Sequence, residues 1–141
     1  MNPHWLLLTL TLVCASAHAD GSRPADARIN LKLTPEERAV FLADMRNMLA
    51  SIQGVMQGIG DSDRERISAA ARQSGNRMAR ATPASIRVKI PLSFRDIGGP
   101  THMMFEELAI RAETDEMDSL ARDTANLMNQ CMACHTTFRV H

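Results

Sequence analysis

The chain has 141 residues, with 16 Lys and Arg against 16 Asp and Glu, so its formal net charge is zero. This balance gives no reason to expect nucleic acid or an anionic membrane surface as a partner. Ten Met, four Phe, one Trp and no Tyr favour packed helices over a β-sandwich core, and no segment shows sustained strand alternation.

The N-terminal residues 1–19 have the features of a cleavable export signal. They contain no Asp, Glu, Lys or Arg, carry a short apolar run over residues 5–13, and end in the small-x-small pattern Ala17-His18-Ala19. The run is shorter than the roughly 20 residues that a spanning helix needs. Since no other segment is apolar enough to span, we expect no stable membrane insertion. Cleavage after Ala19 would also remove Cys14.

We expect residues 20–33 to form an irregular leader before the first helix. Thr34 suits the N-cap of that helix, Pro35 its first position, and Glu37 completes a capping box with Thr34. Apolar residues then recur every three or four positions until Gly58, which predicts one helix with a single buried face.

Three further helices follow. The second begins at Ser62, in a Ser-x-x-Glu capping box with Glu65. A connector over residues 83–99, punctuated by Gly and Pro, leads to a third helix from about 101 to 113 and a fourth from about 115 to 138. The pattern predicts an all-α fold, an antiparallel four-helix bundle with short connections.

The most specific motif is Cys131-Met132-Ala133-Cys134-His135 near the C-terminus. A Cys-x-x-Cys-His run is the attachment signature of a c-type haem. Its two thiols lie on one face of a helical turn, where they can form thioethers to two haem vinyl groups. The His shares that face and can serve as the proximal iron ligand. Haem c is attached outside the cytoplasm, so the motif and the export signal together predict a periplasmic protein with one covalent haem near the end of the last helix.

Two other chemistries use the same residue types. A zinc site would need Cys131, Cys134, His135 and His141, but the second ligand pair of a usual zinc site is missing and adjacent Cys and His suit one tetrahedron badly. A thioredoxin-like dithiol is expected beside a βαβ pattern, which this sequence lacks.

We expect the haem to face the first half of the first helix, because in an antiparallel bundle the last helix ends beside the start of the first. Met45 lies on the inward stripe, about 15 Å along the helix from Pro35, and is the first candidate ligand; Met48 is the second. Both could instead only fill space in the core, with Leu42 covering an open iron face. His102, at the start of the third helix, is a further candidate for ligation, for a contact to a haem propionate, or for capping its helix.

The whole constellation resembles the class II c-type cytochromes, the cytochrome c′ family. The ending Cys134-His135-Thr136-Thr137-Phe138-Arg139 is similar to that family's Cys-His-x-x-aromatic-Arg close. The resemblance implies the bundle over residues 34–141, an axial Met at the position of Met45 in low-spin members, and five-coordinate iron in high-spin members. Dimers are common in the family, which leaves a homodimer open.

We therefore expect a periplasmic monohaem cytochrome that passes single electrons between a donor and an acceptor redox protein, with no catalytic residues and no enzymatic activity. A Met ligand would favour this role, because it raises the reduction potential and fills the iron shell. The alternative is a five-coordinate haem protein that binds small gases such as nitric oxide, with Met45 and Met48 only lining the pocket.

Charged residues are segregated along the chain. Residues 64–95 contain eight basic side chains and one acid, whereas residues 106–123 contain seven acids and two Arg. These faces either complement one another across the bundle or form a dipole that orients the protein on a redox partner. Arg38 and Arg139 are candidate partners of the haem propionates.

Overall fold

The structure is a computed structural model that describes residues 25–141, and this part of the chain is mostly helical, as the sequence predicts. The export signal over residues 1–19, Cys14 and the first residues of the leader lie outside the described residues. None of the helices described combines the length and apolarity needed to cross a lipid bilayer.

Six helices and two short strands make up the described chain. These elements are β1 (Ile29–Asn30), α1 (Pro35–Asp61), α2 (Arg64–Gln73), α3 (Asn76–Ala81), α4 (Ala84–Arg87), α5 (Leu92–Arg111), α6 (Met117–Thr137) and β2 (Phe138–Arg139). The four longest helices contact one another in a ring, α1 with α2, α2 with α5, α5 with α6 and α6 with α1.

The start of α1 is the capping box that the sequence predicts. The Thr34 hydroxyl accepts a hydrogen bond from the Glu37 backbone N–H, and the Glu37 carboxylate accepts one from the Thr34 N–H at 2.9 Å. Lys89 donates to the same carboxylate and is the main reason why the pKa of Glu37 is lowered. One side chain therefore caps α1 and joins it to the segment between α4 and α5.

The predicted start of the second helix at Ser62 is wrong by one residue. Ser62 has a left-handed backbone with φ of 57° and ends α1. Asp63 is the N-cap of α2, and its carboxylate accepts from the Arg66 N–H at 2.9 Å. A left-handed residue turns the chain sharply, which lets α2 fold back along α1. The second helix also stops at Ser74, and α3 begins only after Gly75.

The predictions of a connector over residues 83–99 and of a third helix that begins at about residue 101 are also wrong. The segment holds α4, and α5 already begins at Leu92 and continues through Pro100. Phe94 and Ile97 pack against buried apolar residues, which holds this first half of α5 in place. The tertiary contacts outweigh the helix-breaking tendency of the Gly-Gly-Pro sequence.

The leader that the sequence predicts as irregular contains one regular element. Ile29 and Asn30 form β1, which pairs in parallel with Phe138 and Arg139 of β2 directly after α6. The Leu31 N–H adds a hydrogen bond to the Arg139 carbonyl oxygen at 3.0 Å. The segment before α1 is therefore fixed to the end of the haem-motif helix.

The buried apolar residues form two clusters. The central cluster lies between α1, α2, α5 and α6 and includes Val55, Ile67, Phe105, Leu120 and Leu127. The terminal cluster consists of Leu31, Ile90 and Phe138, with Leu33, Phe41, Phe94, Ile97, Cys134 and Val140 packed against it.

Ion pairs connect the basic and acidic regions. Arg72 on α2 lies 3.5 Å from Glu106 of α5 and 3.8 Å from Glu113, and Arg111 lies 2.7 Å from Asp115. These contacts support the interpretation that the charged faces complement one another. Each exposed pair contributes only about 0–1 kcal/mol, so packing rather than charge holds these helices together.

Close packing of α1 on α2 at Gly58 gives a first prediction. A Cβ added there would lie 2.7 Å from Ile67 Cγ1 and 3.0 Å from two backbone atoms, Asp63 O and Ile67 N. We expect Gly58→Ala to lower the free energy of unfolding by roughly 1–3 kcal/mol, measured by urea denaturation. Gly60→Ala is the matched control, because its Cβ would meet nothing within 4 Å, and it should be neutral or slightly stabilising. Equal unfolding midpoints for the Gly58 variant and the parent protein would contradict the packing.

Candidate functional site

A cavity of about 670 Å³ lies between α1, the first half of α5 and the end of α6. Its volume is in the range of small-molecule and cofactor sites. Its walls include the residues that the sequence singled out for covalent attachment or as candidate iron ligands: Cys131, Cys134, His135, Met45, Met48 and His102. His141 is exposed at the chain end and does not line the cavity.

The cavity separates the two apolar clusters. Cys131 packs against the central cluster and Cys134 against the terminal cluster. Ile52 of the central cluster and Phe94 beside the terminal cluster both line the cavity. A large apolar group held by both cysteines would therefore contact both clusters at once.

Both motif cysteines are free thiols and half-buried. Burial raises the pKa of the Cys131 thiol, and burial together with the neighbouring Cys131 raises the pKa of Cys134 to about 11. Redox-active Cys-x-x-Cys pairs show the opposite shift, because their chemistry requires a thiolate. The raised pKa values of these two thiols therefore argue against a role in thiol–disulfide exchange.

His135 is exposed at the edge of the cavity, on the same face of α6 as the two cysteines. Its backbone carbonyl oxygen accepts a hydrogen bond from Arg28 Nη1 at 3.2 Å. Arg28 also pairs with Asp26 at 2.7 Å, and this guanidinium holds the pKa of Asp26 well below its usual range. The leader thus fixes the last turn of the motif helix.

The α1 wall carries Leu42, Met45 and Met48, all half-buried. Met48 packs against the central cluster. Met45 lines the cavity without belonging to either cluster of the described chain. Of the two candidate ligands on α1, Met48 therefore has a packing role in the core, whereas Met45 has no such role in either cluster.

His102 enters the cavity from α5 in a fixed orientation. Its Nδ1 lies 2.7 Å from the Ser74 carbonyl oxygen. A carbonyl oxygen can only accept, so Nδ1 carries the proton, and in the neutral form of the ring the lone pair is on Nε2. The Ser74 hydroxyl in turn shares a buried 2.7 Å hydrogen bond with the Ser51 hydroxyl of α1. His102 lies well inside α5, so it does not cap that helix.

Sequence reasoning missed the charged residues of the cavity. Asp44 is the sole carboxylate among the lining residues of the described chain, and burial raises its pKa, with the nearby His102 opposing the shift. Arg46, Arg87 and Arg95 line the cavity as well. The position of Arg46 next to Met45 in the sequence could have indicated that Arg46 lies at the cavity. Arg87 and Arg95 gave no such indication, because they lie in the segment predicted to be a connector.

The two arginines proposed for the propionates are elsewhere. Arg38 is exposed and does not line the cavity. Arg139 donates from Nε to the Arg28 carbonyl oxygen at 3.3 Å and lies 3.8 Å from Asp26. Across residues 25–141, no three His, Cys, Asp or Glu side chains converge in the way that the zinc alternative would need.

The buried Ser51–Ser74 pair gives a second prediction. Both side chains are almost fully buried, so Ser51→Ala leaves the Ser74 hydroxyl without a partner and should cost about 1–3 kcal/mol of unfolding free energy. The double variant Ser51→Ala/Ser74→Ala removes both polar groups and should recover part of that loss. Urea denaturation of the two single variants and the double variant measures the coupling, and strictly additive losses would contradict the hydrogen bond.

Comparisons of this chain with models of known protein families, with characterised proteins and with solved structures find no match. The function therefore has to be inferred from the cavity and from the motif on its wall.

Proposed function

We propose that the chain is a periplasmic monohaem c-type cytochrome, built as an antiparallel four-helix bundle, that carries single electrons between redox proteins. The observation that carries this proposal is the cavity that joins the Cys-x-x-Cys-His motif of α6 to Met45 of α1. The ring of contacts between α1, α2, α5 and α6 supports the bundle.

The residues present fit a haem. Leu49, Met128 and Met132 line the cavity although 69%, 47% and 63% of their surfaces are exposed. A large flat apolar group would cover such side chains, which is favourable at about 25 cal/mol per Å² of apolar surface. Gly98 and Gly99 of α5 also line the cavity, and a Cβ at Gly99 would meet nothing within 4 Å, so the wall is open there.

The cysteines and His135 would hold the cofactor. Each thiol would add across one vinyl group, forming a C–S bond with the thiol hydrogen going to the vinyl carbon, so attachment would require no oxidant. His135 would ligate the iron from the same helix. A haem bound there supplies an iron that cycles between the ferrous and ferric states and so carries one electron.

Met45 would complete the iron shell from α1. A thioether ligand stabilises ferrous over ferric iron and raises the reduction potential. Met45 and His135 belong to two packed helices, so these side chains would need to reorganise little when a bound iron changed its charge. Arg46 and Arg87 replace Arg38 and Arg139 as proposed partners of the propionates, since both line the cavity and a guanidinium binds a carboxylate in a bidentate geometry.

Optical spectra test the proposal against the gas-binding alternative. The periplasmically expressed protein should be low-spin, show the Met–iron charge-transfer band when oxidised, and not respond to carbon monoxide when reduced. A high-spin protein whose reduced spectrum shifts with carbon monoxide would instead support five-coordinate iron with Met45 and Met48 as pocket walls.

The identity of the ligand is tested by a matched pair of variants. Met45→Ala should abolish the charge-transfer band and lower the reduction potential, because the thioether is lost. Met48→Ala, one turn further along the same wall, should retain the band. Loss of the band in the Met48 variant alone would transfer the ligand assignment to Met48.

A further inference from the structure

We propose that His102 is a second distal ligand of this site and that its Nε2 binds the iron when the Met45 thioether is displaced or removed. The inference rests on the proposed function, because it requires the haem. It goes beyond that function because it assigns two ligands, from two helices, to one coordination position.

The orientation of the ring is the first observation. The Nδ1–H of His102 is fixed on the Ser74 carbonyl oxygen at 2.7 Å. Histidines that bind metals almost always donate their other ring N–H to a backbone carbonyl, a carboxylate or water, which fixes the tautomer and the ring plane. His102 has this arrangement, with the Ser74 carbonyl oxygen as the acceptor. In the neutral form of the ring, the lone pair that could bind a metal lies on Nε2.

The rigidity of the anchor is the second observation. Ser74 is completely buried, and its hydroxyl is hydrogen-bonded to Ser51 of α1. Thr101, the residue before His102, is buried as well, and its hydroxyl donates to the Ile97 carbonyl oxygen at 2.8 Å. The ring therefore extends from a fixed backbone into the cavity, and little conformational freedom is lost when it binds a metal.

The third observation is that Ser74, which holds the His102 ring, also connects this part of α5 to α1 through its hydrogen bond to Ser51. His102 lines the same cavity as Met45. The thioether on α1 and the imidazole on α5 therefore reach into one space from different helices.

The exchange of ligands is balanced without a redox step. The bond between iron and Met45 Sδ breaks and a bond between iron and His102 Nε2 forms. The proton of the ring stays on Nδ1, bonded to the Ser74 carbonyl oxygen, so neither a proton nor an electron has to be supplied. Because Met ligation raises the reduction potential relative to His, the exchanged form would have the lower potential.

The test compares four haem-loaded proteins: the parent, Met45→Ala, His102→Gln and the double variant. The parent and His102→Gln should both show the Met–iron charge-transfer band. Met45→Ala should lose the band and yet stay low-spin, with no response to carbon monoxide. The double variant should become high-spin and bind carbon monoxide. Electron paramagnetic resonance of the ferric proteins gives an independent readout, with two nitrogen ligands expected only in Met45→Ala.

The contrary outcomes separate the two proposals. A Met45→Ala protein that is high-spin and indistinguishable from the double variant would overturn the role of His102 and leave the electron carrier intact. A colourless parent protein would overturn the haem and both proposals with it. Unfolding midpoints are measured for every variant, so that a loss of folding is not mistaken for a loss of ligation.

Discussion

Burial of apolar surface on two sides of one cavity is the interaction on which the rest of this structure depends. The central cluster joins α1, α2, α5 and α6, whereas the terminal cluster joins the leader, the start of α5 and the chain end. The two motif cysteines lie one on each side of the division. A cofactor bonded to both would turn two small apolar clusters into one continuous core, and its binding energy would add to the stability of the fold.

The leader and the C-terminal end of the chain reinforce this division. The short parallel pair β1–β2 and the Arg28 contact to the His135 carbonyl oxygen hold the leader against the last turn of α6. The capping carboxylate of Glu37 links α1 to Lys89 in the same region. The residues that would hold the iron therefore lie where the leader, the chain end and α1 meet, and not on a mobile loop.

Local signals were sufficient for the parts of the site that lie on one helix. The Thr34–Glu37 capping box and the apolar spacing of α1 predicted the position of Met45, and the motif on α6 needed no tertiary information. The first half of α5 escaped prediction because Gly98, Gly99 and Pro100 indicate a break, while packing against the terminal cluster holds the helix together. The link from His102 to Ser74 joins residues 28 positions apart, and no local pattern encodes it.

Charge has a smaller role in the fold and a larger one at the cavity. Arg72 and Arg111 form ion pairs with acidic side chains. Part of the basic and acidic charge that is segregated along the sequence is therefore paired within the molecule. Arg46, Arg87 and Arg95 remain around the cavity with Asp44 as the lining carboxylate of the described chain. This excess of positive charge beside an apolar space suits a flat apolar group that carries its own carboxylates.

The intact mass of the denatured protein, after periplasmic expression in a host that attaches haem c, tests the central claim most directly. Thioether bonds survive denaturation, so the account predicts a polypeptide heavier by one haem, and the bare polypeptide mass when Cys131 and Cys134 are both replaced by Ser. A parent protein with the bare polypeptide mass would contradict covalent attachment, and with it the function proposed for this cavity.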